Sequence, residues 1–286
     1  MEPRIREVVD RIGEIKALDR VGKAVGDIVD KVVHPGPAKD LLAGSWLGHP
    51  LHPVLTDLPI GAWSSSFLLD VLGGKSARHA SDALIGIGIL TAVPTVASGL
   101  ADWTDTGGPA RRVGMAHAIG NATATGLFTM SLVARRRGRR FRGFLLSAFG
   151  IAVSSASAYL GGHLSFGKGI GVDNTAFEHE PRRWTAVLAA DALSDGKLVR
   201  AEADGAGVVV YKDGQEVFAI ADTCSHRGCS LSEGDVEDGI VECPCHGSSF
   251  RLSDGGIVRG PATAPQPAYD TRIEGGQVEV KARRRK

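Results

Sequence analysis

The sequence predicts a four-helix transmembrane bundle of α-helices followed by an all-β domain. Three observations carry that reading. Residues 41–167 are dominated by apolar and small residues, arranged in long segments with almost no charge. From Trp184 onward the pattern changes to short β-branched runs separated by glycine-containing turns. All four cysteines fall between Cys224 and Cys245, inside the second part. These shifts divide the chain into an N-terminal helix (1–40), the bundle (41–167), a linker (168–183), the β domain (184–282) and a basic tail (283–286).

With 286 residues there is room for about two domains. Lys+Arg number 33 against Asp+Glu 32, so neither part carries the basic excess that a nucleic-acid surface requires. The clustering of cysteine excludes a disulfide scaffold for the whole chain and points to a local metal site. Met1 to Asp40 is charged throughout and does not read as a secretory signal.

Residues 4–33 read as one amphipathic helix. Ile5, Val8, Val9, Ile12, Ile15, Leu18, Val21, Val25, Ile28, Val29 and Val32 recur at spacings of three and four, and Pro35 and Pro37 end the run. Such a helix packs on protein or lies in a membrane interface. Four apolar segments follow: Leu58 to about Leu72, Ala83–Ala101, Val113–Ala134 and Gly143–Leu164. Of these only the first carries an ionisable acid, Asp70. Arg135, Arg136, Arg137, Arg139, Arg140 and Arg142 form the richest basic loop, which the positive-inside rule places in the cytoplasm. Four spans then put both termini outside.

The same topology brings His52, Asp102, His117 and His163 to one membrane face, with Asn121 a turn beyond His117. Ionisable groups at such a position are functional candidates. A haem b held by two histidines, a quinone or another metal would suit them; so would helix capping and interhelical hydrogen bonds.

In the β domain, strands are expected at Trp184–Ala190, Leu198–Ala203, Val208–Tyr211, Val217–Ile220, Gly239–Glu242 and Val278–Lys281, with turns at Asp213-Gly214 and Gly275-Gly276. Between them stand Cys224-Ser225-His226-Arg227-Gly228-Cys229 and Cys243-Pro244-Cys245-His246-Gly247-Ser248. Each arm supplies one thiolate and one imidazole. Zinc more often takes arms of like ligands. Mixed arms suit an iron–sulfur cluster in which two histidines replace two cysteines on one iron.

With these arms, Leu231-Ser232-Glu233-Gly234 and Gly260-Pro261-Ala262, residues 184–281 resemble the Rieske [2Fe–2S] domain family. The resemblance implies that Cys224 and Cys243 bind the inner iron and His226 and His246 the outer one, with residues 260–265 covering the cluster. It also implies a disulfide between Cys229 and Cys245, as in high-potential members, and a potential-raising hydrogen bond from Ser248. Phe250 stands where those members carry a tyrosine, so one donor is missing, whereas Arg227-Gly228 is similar to ring-hydroxylating dioxygenase systems. Gly48-His49-Pro50-Leu51-His52-Pro53, Gly99-Leu100-Ala101-Asp102-Trp103 and Leu160-Gly161-Gly162-His163 resemble a bacterial family of four-helix membrane domains without assigned function.

The expectation is therefore a multi-pass protein of the cell membrane that carries single electrons, with its cluster domain on the outer face. The alternative is a quinol-oxidising reductase with a haem or quinone site in the bundle. Its partners would be a redox donor and acceptor, membrane lipid and, in the alternative, quinone, without nucleic acid. A facial-triad iron site for an oxygenase is not evident.

Overall fold

The computed structural model describes residues 4–283. The chain forms two compact units. The residues up to Val33 join Leu51–Ile170 in a helical unit, and His34–Pro50 join the chain from Gly171 onward in a β unit. The segment before the first long helix thus belongs with the β domain, a grouping that no local pattern signals.

The expected N-terminal helix is two helices, α1 (Arg4–Glu14) and α2 (Ala17–Val29). They break at Ile15 and Lys16, where tight turns form (Ile15 N–H to Ile12 O and Leu18 N–H to Ile15 O, both 3.1 Å). Apolar spacing continues across the break, so periodicity cannot reveal it. The buried face is mostly small: Val9, Gly13, Gly22, Gly26 and Val29. A Cβ on Gly13 would lie 3.2 Å from Pro109 Cβ, and one on Gly22 would lie 3.5 Å from the Trp103 ring. Ile5, Val8, Ile15, Val21 and Ile28 stay exposed.

Helix α3 (Pro37–Ala43) lies in the β unit. The helical unit continues with α4 (Leu51–Leu72), α5 (Arg78–Thr104), α6 (Gly108–Arg136) and α7 (Arg140–Gly162). Among the described residues two helices are long and apolar enough to cross a membrane: α5, and α7 with its extension to Gly167. The expectation of four such segments rested on missing charge, and an uncharged helix is not thereby apolar. α4 carries His52, Thr56, Asp57, Ser64, Ser65, Ser66 and Asp70, and α6 carries His117, Asn121 and three threonines.

The unit contains an internal repeat. Residue n of α4 corresponds to n + 65 in α6, and residue n of α5 to n + 62 in α7. His52 Nδ1 bonds Thr95 O at 2.9 Å, and His117 Nδ1 bonds Ser157 O at 2.8 Å. Ser66 Oγ donates to Ser81 O at 3.0 Å, and Ser131 Oγ to Gly143 O at 2.6 Å. Trp63 packs on Gly88 and Phe128 on Gly150, where a Cβ would collide with either ring. The His52 and His117 rings likewise occupy the space that side chains at Gly99 and Gly161 would fill. Glycine is required at these four positions by the rings opposite, not by the backbone.

At the other end of the helices charges replace rings. Arg135 donates through Nη1 to Asp70 Oδ1 at 2.9 Å and Ser81 Oγ at 3.0 Å, and through Nη2 to Asp70 Oδ2 and to Ser147 Oγ at 2.9 Å. Arg140 Nη1 pairs with Asp82 Oδ2 at 2.5 Å. Arg135 is therefore a buried helical residue and not part of the basic loop, in which Arg136, Arg137, Arg139 and Arg142 remain exposed. Pairing also removes the objection that Asp70 raised to a spanning α4.

Among the described residues the β unit has ten strands. A six-stranded antiparallel sheet has the order β1 (Thr185–Ala189), β10 (Gln277–Ala282), β9 (Ala268–Glu274), β4 (Glu216–Ala221), β3 (Ala206–Asp213), β2 (Leu198–Ala203). A four-stranded sheet runs β5 (Asp235–Glu237), β6 (Ile240–Glu242), β7 (Ser249–Arg251), β8 (Ile257–Arg259). The expectation omits β5, β7, β8 and β9. Three of these have only three residues, too few to show alternation, and β9 exposes most of its charged residues. One core packs Val208, Val210, Ala219, Tyr269, Val278 and Val280 within the larger sheet. The other joins the sheets and surrounds Cys224 and Cys243 with Ile220, Leu231, Val241, Phe250 and Leu252. Of the expected tail, Arg283 is anchored: its Nε donates to Asp270 Oδ1 at 3.0 Å and its Nη1 to Ser253 O at 2.8 Å. Residues 284–286 lie outside the described residues.

Candidate metal centre

Two loops at one end of the β unit have the same construction. In the loop between β4 and β5, Cys224 N–H donates to Cys229 O (2.7 Å) and Gly228 N–H to Cys224 O (2.8 Å). In the loop between β6 and β7, Cys243 N–H donates to Ser248 O (2.8 Å) and Gly247 N–H to Cys243 O (3.0 Å). Both closures need a residue at positive φ, supplied by Gly228 (75°) and Gly247 (77°). Each loop thereby aims a cysteine and the histidine beyond it inward.

Cys224 and Cys243 are buried, with their sulfurs within hydrogen-bonding reach of each other. Cys243 is held down to about 6 by the Cys224 S–H, against the cost of burial, with help from the N–H groups of Cys245 and His246. The Cys224 thiol is correspondingly pushed up, by its hydrogen bond to Cys243 and by burial, while the N–H groups of His226 and Arg227 act the other way. Without a cation the pair gives up one proton readily, and a cation would draw off the second. The His226 and His246 rings stand edge to face at 5.1 Å and 87°, with both Nδ1 atoms buried. Burial lowers His226 to about 3, helped by His246, Arg227 and Lys39, so its imidazole is neutral and its lone pair available. Two soft sulfurs ringed by N–H donors and two facing imidazoles fit a [2Fe–2S] cluster.

Cys229 and Cys245 are joined at S–S 2.00 Å. Cys243 Sγ lies within 4.8 Å of both their sulfurs, but bonded sulfurs are not thiolate ligands, and this trio ties the loops together without forming a metal site of its own. Ser248 is fully buried; its Oγ accepts Ala262 N–H at 3.0 Å, leaving its O–H to donate. Phe250 is buried in the core beside both cysteines. Pro261, after a cis peptide bond, is buried in the third loop.

Several residues outside the motif hold it. Asn174 Nδ2 donates to His226 O at 2.8 Å and Ser225 O at 3.2 Å, so the expected linker is a latch on the first loop. Asp222 accepts from Ser230 Oγ (2.7 Å) and Ser232 N–H (2.8 Å). Ser225 Oγ donates to Ala264 O at 2.7 Å, joining first and third loops. Asp222, two residues before Cys224, is the one that proximity to the motif could have flagged.

In the helical unit the structure brings two of the four expected residues together. The His52 and His117 rings stand edge to face at 6.3 Å. Asp102 lies partly buried near the end of α5, and His163 opens a π-turn with its ring against Gly167. Among the described residues no third metal-binding side chain joins His52 and His117 within 4.8 Å. His117 bonds Ser157 O through Nδ1 and the Asn121 amide through Nε2, and His52 bonds Thr95 O. Interhelical hydrogen bonding accounts for the pair.

The β fold and its two loops bring together two free cysteines and two histidines, a set that fits an iron–sulfur domain. The chain belongs to the Rieske family: the Rieske [2Fe-2S] domain matches residues 183–270, and a family described as predicted membrane protein (DUF2231) matches 48–174. Ferredoxin CarAc of Metapseudomonas resinovorans is 35% identical over 98 residues, which are 34% of this chain and 92% of that protein. The anthranilate 1,2-dioxygenase ferredoxin subunit of Burkholderia cepacia is 39% identical over 97 residues, 34% of this chain and 90% of its own. Among solved structures, the ferredoxin of carbazole 1,9a-dioxygenase from Nocardioides aromaticivorans IC177 is 30% identical, with 35% of this chain and 98% of that one covered and a TM-score of 0.34.

Proposed function

We propose that the protein is a membrane-anchored Rieske carrier that passes single electrons between a reduced donor protein and an oxidised acceptor protein. The observation that carries this reading is the pair of matched loops, which present two thiols and two imidazoles on a β unit continuous with apolar helices. A bound [2Fe–2S] cluster takes up and gives back one electron. Around it, N–H groups at Cys224 and Cys243 stabilise sulfur charge, the Cys229–Cys245 bond holds the loops in register, and the core around Phe250 keeps water away. A relative named as the ferredoxin subunit of anthranilate 1,2-dioxygenase favours a dioxygenase as the acceptor.

In this reading α4 to α7 all span the membrane. The exposed arginines between α6 and α7 stay in the cytoplasm, and the β unit faces outward, where a disulfide persists. The exposed apolar residues of α1 and α2 suit the membrane interface.

Iron and acid-labile sulfide should be found in equal amounts in the full-length protein purified anaerobically, with a Rieske EPR signal on reduction. Stoichiometric zinc without iron, under conditions that permit cluster assembly, sinks the carrier reading. For topology, an impermeant thiol probe should reach a cysteine placed in the Asp213-Gly214 turn in intact cells. Labelling only after lysis puts the β unit in the cytoplasm.

A further inference from the structure

The segment His34–Pro50 groups with the β unit, and part of it lies against the loops that carry the candidate ligands. Pro35 reaches the second loop: a Cβ on Gly247, next to His246, would lie 3.6 Å from Pro35 Cβ. Asp40 and Ser45 reach the third loop. Both pack against Gly260: a Cβ there would sit 3.0 Å from Asp40 Oδ1 and collide with Ser45 Oγ. Lys39 reaches toward the first loop: it is only 5% exposed, and its charge acts on His226. A lysine is seldom so buried on a seven-residue helix unless the helix is seated. One short segment thus packs on the second and third of the loops that surround the candidate ligands.

We propose that residues 34–47 are a tethered cap over the cluster-bearing end of the β unit, and that a protein partner exchanges electrons only when the cap lifts. The cap sits on two of the loops that surround the candidate ligands. A small reagent can pass beside the cap; a protein surface cannot approach those loops while residues 34–47 cover them. No new redox agent is needed: one electron leaves the reduced cluster and enters the oxidised partner. The proposal rests on the carrier reading above.

The test uses the full chain in detergent, with cluster content measured as iron, sulfide and EPR signal. The reduced protein is mixed by stopped flow with ferricyanide or with cytochrome c as a protein oxidant. In the double variant Asp40→Ala with Ser45→Ala, both side chains that pack against Gly260 are removed. Hydrogen exchange over 34–47 should accelerate. The rate constant with cytochrome c should rise about tenfold, the factor expected if the parent cap is open about one-tenth of the time, while the ferricyanide rate changes by less than about twofold. If that variant does not load a cluster, replacing Pro37–Ala43 by a Gly/Ser segment of equal length gives the same readout. Faster hydrogen exchange with an unchanged cytochrome c rate overturns the cap, as does unprotected exchange over 34–47 in the parent. A parent chain without iron and sulfide overturns the carrier reading itself, which separates the two failures.

Discussion

Trp63 stacks on Phe128 with ring centroids 4.3 Å apart and planes 12° from parallel. The two rings occupy equivalent positions in the repeated helix pairs, each lodged in the groove of a glycine, Gly88 or Gly150. Along the same helices, Asp70 and Arg135 are equivalent and meet as an ion pair.

That ion pair leads to the first prediction. Arg135 is 1% exposed at its side chain, Asp70 is 9%, and both lie among hydroxyls. Removing one partner leaves a buried charge, at a cost of about 3–5 kcal/mol. Arg135→Ala should therefore sharply lower the thermal stability of the detergent-solubilised protein. Asp70→Leu combined with Arg135→Leu should recover much of the loss, because the charges disappear together. Equal stability of the single and double variants would show that packing, not charge, dominates at this point.

The Cys229–Cys245 bond closes a loop of sequence separation 16. A loop of that size is worth about 3 kcal/mol in the chain-entropy model. Replacing both cysteines by alanine should lower the unfolding free energy of the β unit by about that amount and speed cluster loss, followed by the decay of visible absorption in denaturant. An undiminished midpoint of cluster loss would mean that the loops are held by their backbone hydrogen bonds alone.

Phe250 packs beside both cysteines without a hydroxyl. Phe250→Tyr should raise the midpoint potential if the new O–H reaches a ligand sulfur, since donation to sulfur favours the more negative, reduced state. The buried hydroxyl costs about 1–3 kcal/mol if it finds no partner. Potentiometry and denaturation together distinguish the outcomes: a stability loss without a potential change means that the ring edge points away from the sulfurs.

Glu178 has a raised carboxyl, chiefly because it is buried, with Asp173, Asp222 and Glu180 adding to the effect and a Thr223 hydrogen bond opposing it. The folded state thus prefers the protonated form. Its contribution is fully present below the unfolded pKa and is lost as pH rises through the raised folded value. Glu178→Gln should stabilise the protein at neutral pH, and the advantage should vanish as pH falls through the carboxylate range. Unfolding curves of parent and variant at several pH values check this; an advantage independent of pH would assign the effect to packing.

The ligand set was legible because its chemistry is written contiguously: Cys224 with His226 and Cys243 with His246 each form one tight loop. The short strands around them were not, since β5, β7 and β8 exist only through their neighbours. The helical repeat escaped for a different reason. Its shared letters, His52 with His117, Ser66 with Ser131, Gly88 with Gly150 and Gly99 with Gly161, are few and widely spaced, and elsewhere it preserves only size and hydrogen-bonding carbonyls, so Trp63 answers to Phe128 and Ser81 to Gly143. Asn174 and the 34–47 segment contact the cluster loops across long stretches of chain, and nothing in their own composition marks them.

The charge at the end of the repeat limits how such a bundle can be made. Two identical hairpins related by a dyad place like residues face to face along it. Stacked rings and imidazole pairs tolerate self-association of that kind. An aspartate opposite its own copy, or an arginine opposite its own copy, does not. A separate hairpin carrying either Asp70 or Arg135 would be repelled by its twin and drawn to its complement. Covalent fusion guarantees that complement at a fixed ratio of one to one, and the bundle becomes a heterodimer written in a single polypeptide.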